Sequence, residues 1–565
     1  MKRSPSLCES HRDRLASRPL LTGGEVWSGW AVASILLLAL IWRLWGITTT
    51  EVWRDEAVTL LHTRAPWWDL LTKLAWVEDT PPLSFLVFKA WSVLFTREWA
   101  MRLLPVLTGV ATVGVLMKLA AGIHPRAWWP VGLLAAFSHV PVHFSQELRA
   151  YSLLSLMTVL CLWSADCAAR RPPTGRRMIA LAALGALAAH CHASGIFVYA
   201  MALVYWAARG WSRPSLGWAF LAGPALWLVL SSPMIWFDFH WAAVHAGSGR
   251  WSLHSVNLQG TREILESFFG MRVVSSWANA HPAGGAMWAA FAIERVLMIA
   301  PAGLTAAALW DRRLRRPALA LALSAAAYVT MLIVSSLGAV PSIMTRTLLP
   351  AWWPILLCMG LGAVASVHRL LRWLPGSAVV TLATVYAATW VWNLYEGFPR
   401  RPVSKPVFAY LDQHLEPDDL IISLPAMYED LTIYRLGHSL GAGQLVCPDK
   451  PVYAGTPPVH MMVRREPDPQ WLDRLRAAEQ PRRLAAAGYR VWVLRHAVAG
   501  RPFKSEELDD AFRAAHRQVQ TPEYQEDWAI MLTCYVPEGT PVSGPSRSGP
   551  SCRYNPGAET NRGLP

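Results

Sequence analysis

SGWAVASILLLALIWRLWGITTTEVWRDE, residues 28–56, is the stretch whose reading decides the fold. Its apolar part, residues 28 to 47, has about the length needed to cross the hydrocarbon core of a bilayer. Directly behind it come Trp53, Arg54 and two adjacent carboxylates, Asp55 and Glu56. Charges placed there face the membrane surface, where a bilayer-embedded substrate presents its polar head. The stretch therefore predicts a membrane anchor followed at once by chemistry at an interface.

The whole composition agrees with that start. Apolar residues make up 53% of the 565, charged residues only 16%, and there are 31 tryptophans, so the chain reads as a polytopic membrane protein. The net charge of +14 does not point to nucleic acid, because the basic residues fall in short clusters between apolar segments, as cytoplasmic loops require. The basic amino-terminal stretch runs into a long apolar segment with no small-residue cleavage pattern behind it. The first helix is thus expected to stay as an anchor, preceded by a cytoplasmic segment of residues 1 to 27.

Hydropathy places spans near residues 28 to 47, 103 to 121, 128 to 144, 148 to 166, 217 to 238, 287 to 310, 317 to 339, 347 to 366 and 376 to 395. The loops with Arg170, Arg171, Arg176 and Arg177, then Arg312, Arg313, Arg315 and Arg316, then Arg369 and Arg372, read as cytoplasmic. An apolar stretch between Arg177 and Arg209 has basic flanks on both sides. It reads as two short helices turning near His192-Ala193-Ser194-Gly195. That makes about eleven transmembrane helices over residues 28 to 395. Such a count puts the loop of residues 48 to 102 and the segment after residue 395 on one side. In a bacterial cell this is the periplasmic or extracellular side of the plasma (inner) membrane.

From residue 396 to 536 the apolar runs shrink to strand length and charge returns. Residues 419 to 424, 489 to 494 and 528 to 535 read as buried strands, separated by helical stretches at 409 to 415 and 471 to 478. That order predicts a small soluble α/β domain, followed by a Pro, Gly and Ser-rich tail from 537 to 565 expected to be disordered. None of the eight cysteines sits in CxxC spacing. Cys161, Cys167, Cys191 and Cys358 read as small core residues, and a Cys447–Cys534 disulfide stays open. His190 and His192, two positions apart, point to different faces of a helix and so do not form a shared metal site.

The loop of residues 51 to 102 holds Asp55, Glu56, Glu78, Asp79, Pro81, Pro82 and then an apolar run, 83 to 95, too short to span. With Trp76, Trp91 and Trp99 around it, that run predicts a helix lying in the membrane interface. Three ordered blocks, WRDEAVTLL (53–61), EDTPPLSFLVFKAWSVLF (78–95) and REWAMRLLPVLTGVATV (97–113), resemble the GT-C membrane glycosyltransferases. The branch is that of the protein O-mannosyltransferases and lipid A aminoarabinose transferases. HFSQELRAY (143–151) is similar to the SQE-x-R-x-Y segment of bacterial members, and TRTLLP (345–350) to their RYLLP segment. Thr347 stands where relatives carry an aromatic, and Thr80 where His or Lys often precedes the two prolines.

The resemblance implies transfer of a sugar from a polyprenyl-phosphate donor to a lipid, protein or glycan acceptor at the outer face of the membrane, with inversion at the anomeric carbon. An acceptor hydroxyl is a poor nucleophile at neutral pH, so a carboxylate must take its proton. Asp55 is the expected base, with Glu56 beside it. The leaving phosphate suits a guanidinium; Arg346 is the first candidate and Arg149 the second. Asp79, Glu147 and His192 are expected to contact acceptor or sugar, or to hold a divalent cation. No cofactor is expected to be required, and the metal stays open. Two other readings stand beside this one. A transporter or flippase of a lipid or sugar would gather charge at the bilayer midplane, and a non-catalytic envelope scaffold that binds glycan would tolerate loss of Asp55.

Overall fold

The computed structural model describes residues 29–72, 80–170, 174–210, 219–245, 300–337, 346–370, 404–416, 419–424, 429–436, 445–446, 490–496, 513, 516–519 and 530–537. The chain divides into two compact units, residues 1–400 with 459–463, and residues 401–458 with 464–565.

The described residues of the first unit are mostly helical. Helix α1 (Gly29–Leu44) is apolar and ends where Gly46 turns into the left-handed region, φ 75°. A side chain with Cβ rarely adopts that geometry, so glycine ends the helix there and releases the chain toward Asp55. The segment that follows then forms α2 (Arg54–Arg64), α3 (Trp67–Thr72), α4 (Pro82–Ser92) and α5 (Glu98–Met101). The expected interfacial run is α4, opened by proline at a position where no amide hydrogen is needed. Phe85 and Phe88 are buried, while Trp67, Trp68, Leu71, Val93 and Leu94 are exposed apolar residues of this loop. Ala65, Leu70 and Phe85 pack against Met234 and Phe237.

Next follow α6 (Leu103–Ile123), α7 (Trp128–Phe137), α8 (His139–Phe144), α9 (Tyr151–Arg170) and α10 (Gly175–Cys191). A 3-10 turn at Ala193–Gly195 leads into α11 (Ile196–Gly210), α12 (Ala219–His245), α13 (Arg315–Leu337) and α14 (Leu349–Leu370). Among the described residues five helices are long and apolar enough to cross a membrane: Glu98–Ile123, Tyr151–Arg170, Leu221–Phe239, Arg315–Ser335 and Leu349–Ser366. The chain is a multi-pass membrane protein on that ground. Of the other expected spans, residues 287–299 and 376–395 lie outside the described residues.

One expected span differs. Residues 128 to 144 form two helices, of ten and six residues, broken at Ser138. The cause is local. Pro141 has no amide hydrogen to give the Phe137 carbonyl, which favours a break here, although α12 and α14 run through Pro224, Pro233 and Pro354. The break is sealed from outside by buried side chains. Trp352 Nε1 donates to Ser138 Oγ at 2.8 Å, and Arg43 of α1 donates to the Ala135 and Ala136 carbonyls at 3.3 and 3.4 Å. The paired helices expected between Arg177 and Arg209 are α10 and α11, with their turn at Ala193–Gly195. Gly195 is required by close approach: a Cβ there would lie 1.9 Å from the Ala188 carbonyl oxygen. α11 packs on α13, α13 on α14, and α9 on α6, α10 and α11.

The second unit carries α15 (Lys405–His414), β1 (Leu420–Leu424), α16 (Glu429–Leu436), β2 (Leu445–Val446), β3 (Val491–His496), β4 (His516–Val519) and β5 (Ile530–Pro537). The sheet order is β2-β1-β3-β5-β4, parallel across β2-β1-β3 and antiparallel across β3-β5-β4. Asp419 locks the start of β1 to that of β3, accepting from Arg490 Nη2 at 2.7 Å and Trp492 Nε1 at 2.7 Å. Cys534 is a buried free thiol opposite Trp492, and Cys447 lies outside the described residues. The helix expected at 471 to 478 lies outside them too.

Candidate active site

Asp55 sits in the first turn of α2, where the exposed amides of a helix start favour negative charge. Its carboxylate is 3.5 Å from Arg346 Nη1, in the segment that leads into α14. That separation is longer than the roughly 2.7–2.9 Å of a tight charge-assisted hydrogen bond. Both side chains keep some exposure, 14% for Asp55 and 32% for Arg346. Arg54 Nη1 is 3.6 Å from the other Asp55 oxygen.

Arg149 reaches the same place from the bend that precedes α9. Its Nη1 donates to the Asp55 backbone carbonyl at 3.4 Å and its Nη2 to Thr80 Oγ1 at 3.2 Å. Thr80, at a position where the resemblance leads one to expect a base, thus orients a guanidinium. Glu147 is buried and lies 3.2 Å from His143 Nε2. Tyr151, at the start of α9, is fully buried. His192 contacts the Tyr151 ring at 5.5 Å between centroids, and its Nδ1 accepts from Ser194 N at 3.1 Å. His190, two residues before, hydrogen-bonds the Leu230 carbonyl through Nε2 at 3.0 Å.

Glu56 has different surroundings from its neighbour. It is fully buried, and Arg102 grips it with Nε to Oε1 at 3.0 Å and Nη2 to Oε2 at 2.8 Å. Leu148 N donates to Oε1 at 3.0 Å and Trp53 N to Oε2 at 3.4 Å. The remaining donors of Arg102 go to the carbonyls of Ile47, Thr50 and Glu51 at 3.2, 2.6 and 3.1 Å. All five N–H groups of that guanidinium are thereby engaged. Glu56 and Arg102 join the loop start, α5 and the 148 bend, and Asp55 is carried on that joint.

A second joint holds the same bend from the other side. Arg43 is fully buried and its Nε donates to Ser145 Oγ at 3.2 Å. Gln146 Nε2 donates to the carbonyls of Arg43 and Trp45 at 3.1 and 2.7 Å, capping the end of α1. Helix α6 passes close by, and Gly109 leaves the room: a Cβ there would lie 2.3 Å from Ser145 Oγ and 2.8 Å from Arg43 Nε.

The structure thus brings Asp55, Arg346 and Arg149 together, with buried Glu147 paired to half-buried His143 and His192 one ring away. Asp79 lies outside the described residues. Among the described residues no three His, Cys, Asp or Glu side chains are grouped so as to hold a metal ion. Arg43 and Arg102 are not among the residues that the sequence singles out. Arg43 and Arg102 had a signal, since each is an arginine at or within an apolar span, where a charge needs a partner.

No protein-family profile matches the chain, and no curated protein matches it. Among solved structures it is similar to the Archaeoglobus fulgidus oligosaccharyltransferase in complex with Zn and sulfate. The TM-score is 0.42 at 12% identity, over 72% of this chain and 61% of that one. It is also similar to the archaeal oligosaccharyltransferase AglB from Archaeoglobus fulgidus, in complex with an inhibitory peptide and a dolichol-phosphate. There the TM-score is 0.41 at 13% identity, over 73% and 64% of the two chains. The chain spans less than two thirds of the length of either structure.

Proposed function

We propose that this chain is a membrane glycosyltransferase that moves a sugar from a polyprenyl-phosphate-linked donor to an acceptor hydroxyl at the outer face of the plasma membrane. The observation that carries the reading is the Asp55 carboxylate 3.5 Å from Arg346, with Arg149 bonded to the Asp55 backbone. A base and two permanent cations at one point are what such a displacement needs. Asp55 takes the proton of the acceptor hydroxyl as its oxygen attacks the anomeric carbon. The bond from that carbon to the phosphate oxygen breaks, and the charge left on the phosphate is met by Arg346 and Arg149. A single displacement inverts the anomeric configuration.

Glu56 takes no part in this step in our reading. Its oxygens are occupied by Arg102, Leu148 and Trp53, so its work is to hold Asp55 in place. In this reading the site belongs to a transmembrane domain of residues 28 to 395. The test is a screen of polyprenyl-phosphate sugars against lipid, protein and glycan acceptors with purified full-length chain. Transfer from at least one such donor is expected. Arg346→Ala is expected to weaken binding of the donor phosphate on the order of ten- to a hundredfold, the scale of a hydrogen bond to a charged group. Unchanged affinity would remove Arg346 from the site.

A further inference from the structure

Behind Arg346 stands a tyrosine that the proposed chemistry does not use. Tyr328 of α13 is fully buried. Its hydroxyl is 2.8 Å from the Thr347 carbonyl oxygen and 3.2 Å from the Ser194 carbonyl oxygen, so one O–H is shared between two acceptors. Those carbonyls belong to distant parts of the chain. One follows Arg346 directly; the other lies in the Ala193–Gly195 turn between α10 and α11.

The turn is a firm anchor. His192 Nδ1 accepts from Ser194 N at 3.1 Å and pairs with Ser194 Oγ at 2.9 Å. Gly195 is pressed against the end of α10 so closely that any side chain there would collide with the Ala188 carbonyl. Phe197, on the first turn of α11, meets the Tyr328 ring edge-on, with centroids 6.2 Å apart. The tyrosine is thus held by its ring, while its hydroxyl sets where the Thr347 peptide lies. Thr347 is buried, and its carbonyl would lose this donor if the hydroxyl were absent. A buried carbonyl deprived of a donor turns toward another one or bears the cost of desolvation. A shift of that peptide moves Arg346, the residue before it.

The geometry points to Tyr328 as a positioning residue for Arg346: through the Thr347 carbonyl it registers the guanidinium against the Ala193–Gly195 turn and so against Asp55. The consequence for donor binding rests on the reading of Arg346 as a phosphate-binding group; the positioning itself does not. Misplacing a binding group by about 1 Å can cost on the order of a hundredfold in rate, so a contact remote from the substrate has leverage here.

Two measurements on the full-length protein separate these claims. The first is the rate at which phenylglyoxal labels Arg346, followed by mass spectrometry with no donor present. Tyr328→Phe keeps the ring and removes only the hydroxyl. It is expected to change that rate several-fold in a protein that still unfolds cooperatively, with a modestly lowered thermal midpoint. The control is Ser324→Ala, which removes a buried hydroxyl from the same helix whose bond, 2.7 Å to the Leu321 carbonyl, stays within that helix. It is expected to label as the unmodified protein does. The second measurement is affinity for undecaprenyl phosphate, expected to fall roughly two- to tenfold in Tyr328→Phe, the scale of one neutral hydrogen bond. An unchanged labelling rate in Tyr328→Phe, or an equal change in Ser324→Ala, would overturn the positioning role. Altered labelling in a protein that does not bind undecaprenyl phosphate at all would uphold the positioning role and overturn the donor reading.

Discussion

Two neighbouring acids, Asp55 and Glu56, have opposite surroundings, and burial is what separates them. Glu56 is fully enclosed with Arg102 as a bidentate partner, while Asp55 stays in reach of solvent. Removing one charge of a buried pair leaves the other uncompensated, at a cost of about 3–5 kcal/mol. Glu56→Gln is therefore expected to lower the unfolding free energy by roughly that amount, seen as a reduced thermal midpoint in detergent, whereas Asp55→Asn leaves it nearly unchanged. Equal midpoints for the two variants would contradict this. In sequence Asp55 read as the base and the role of Glu56 beside it stayed open, because adjacency fixes neither burial nor partner. Arg102, the residue that distinguishes them, is 46 positions away. A second residue-scale prediction concerns the second unit. Burial pushes the Cys534 thiol up to about 12, with Arg490 acting against it and the carboxylates of Asp419 and Glu416 adding to it. A raised value means that the buried thiol's contribution is fully present below its ordinary range near 9 and is lost as pH rises toward 12. Iodoacetamide at pH 8 is accordingly expected to label Cys534 at least roughly a hundredfold more slowly in the native chain than in denaturant, since the thiolate is the reactive form. Comparable rates would show that the thiol is not enclosed.

At the scale of elements, the site depends on a broken helix more than on a long one. Pro141 interrupts the expected crossing at 128 to 144, and the bend at residues 145 to 149 that follows is what carries Arg149 to Asp55. Arg43 and Gln146 hold that bend reciprocally, each serving carbonyls left over at a helix end. Gly109 of α6 makes the space. Gly109→Ala forces Ser145 and the Arg43 guanidinium to shift, so a loss of about 1–3 kcal/mol in stability is expected, the range for overpacking. Sugar transfer should fall with it, because the same bend positions Arg149. A variant of undiminished stability and rate would mean that the bend is not held from this side. The helical pair and its turn at Gly195 were legible, since the length of the apolar stretch and its basic flanks point to two helices with a turn between them. The strands at residues 419 to 424, 489 to 494 and 528 to 535 were legible too, and form β1, β3 and β5 with small shifts. The break at Ser138 was not, because hydropathy averages over a window and does not register a single missing amide hydrogen. Sheet order was equally out of reach. β3 pairs with β1 and β5 through contacts that no local pattern encodes.

For the whole molecule, multi-pass character follows from composition alone and reappears as five helices of sufficient length among the described residues. The catalytic proposal is narrower, and rests on the long-range meeting of Asp55 with Arg346, 291 positions apart, that the short motifs made plausible only one at a time. A transporter or a glycan-binding scaffold would not need a base at this point, so the base is the place to strike. Asp55→Asn removes the proton acceptor, keeps the shape and leaves Arg346 and Arg149 to hold the donor phosphate. The decisive measurement is turnover of sugar transfer from a polyprenyl-phosphate donor in proteoliposomes, with donor affinity measured alongside. Asp55→Asn is predicted to lose on the order of a hundredfold or more of the rate while binding the donor within a few-fold of the unmodified protein. Turnover that survives the substitution undiminished would contradict the assignment of Asp55 as the base.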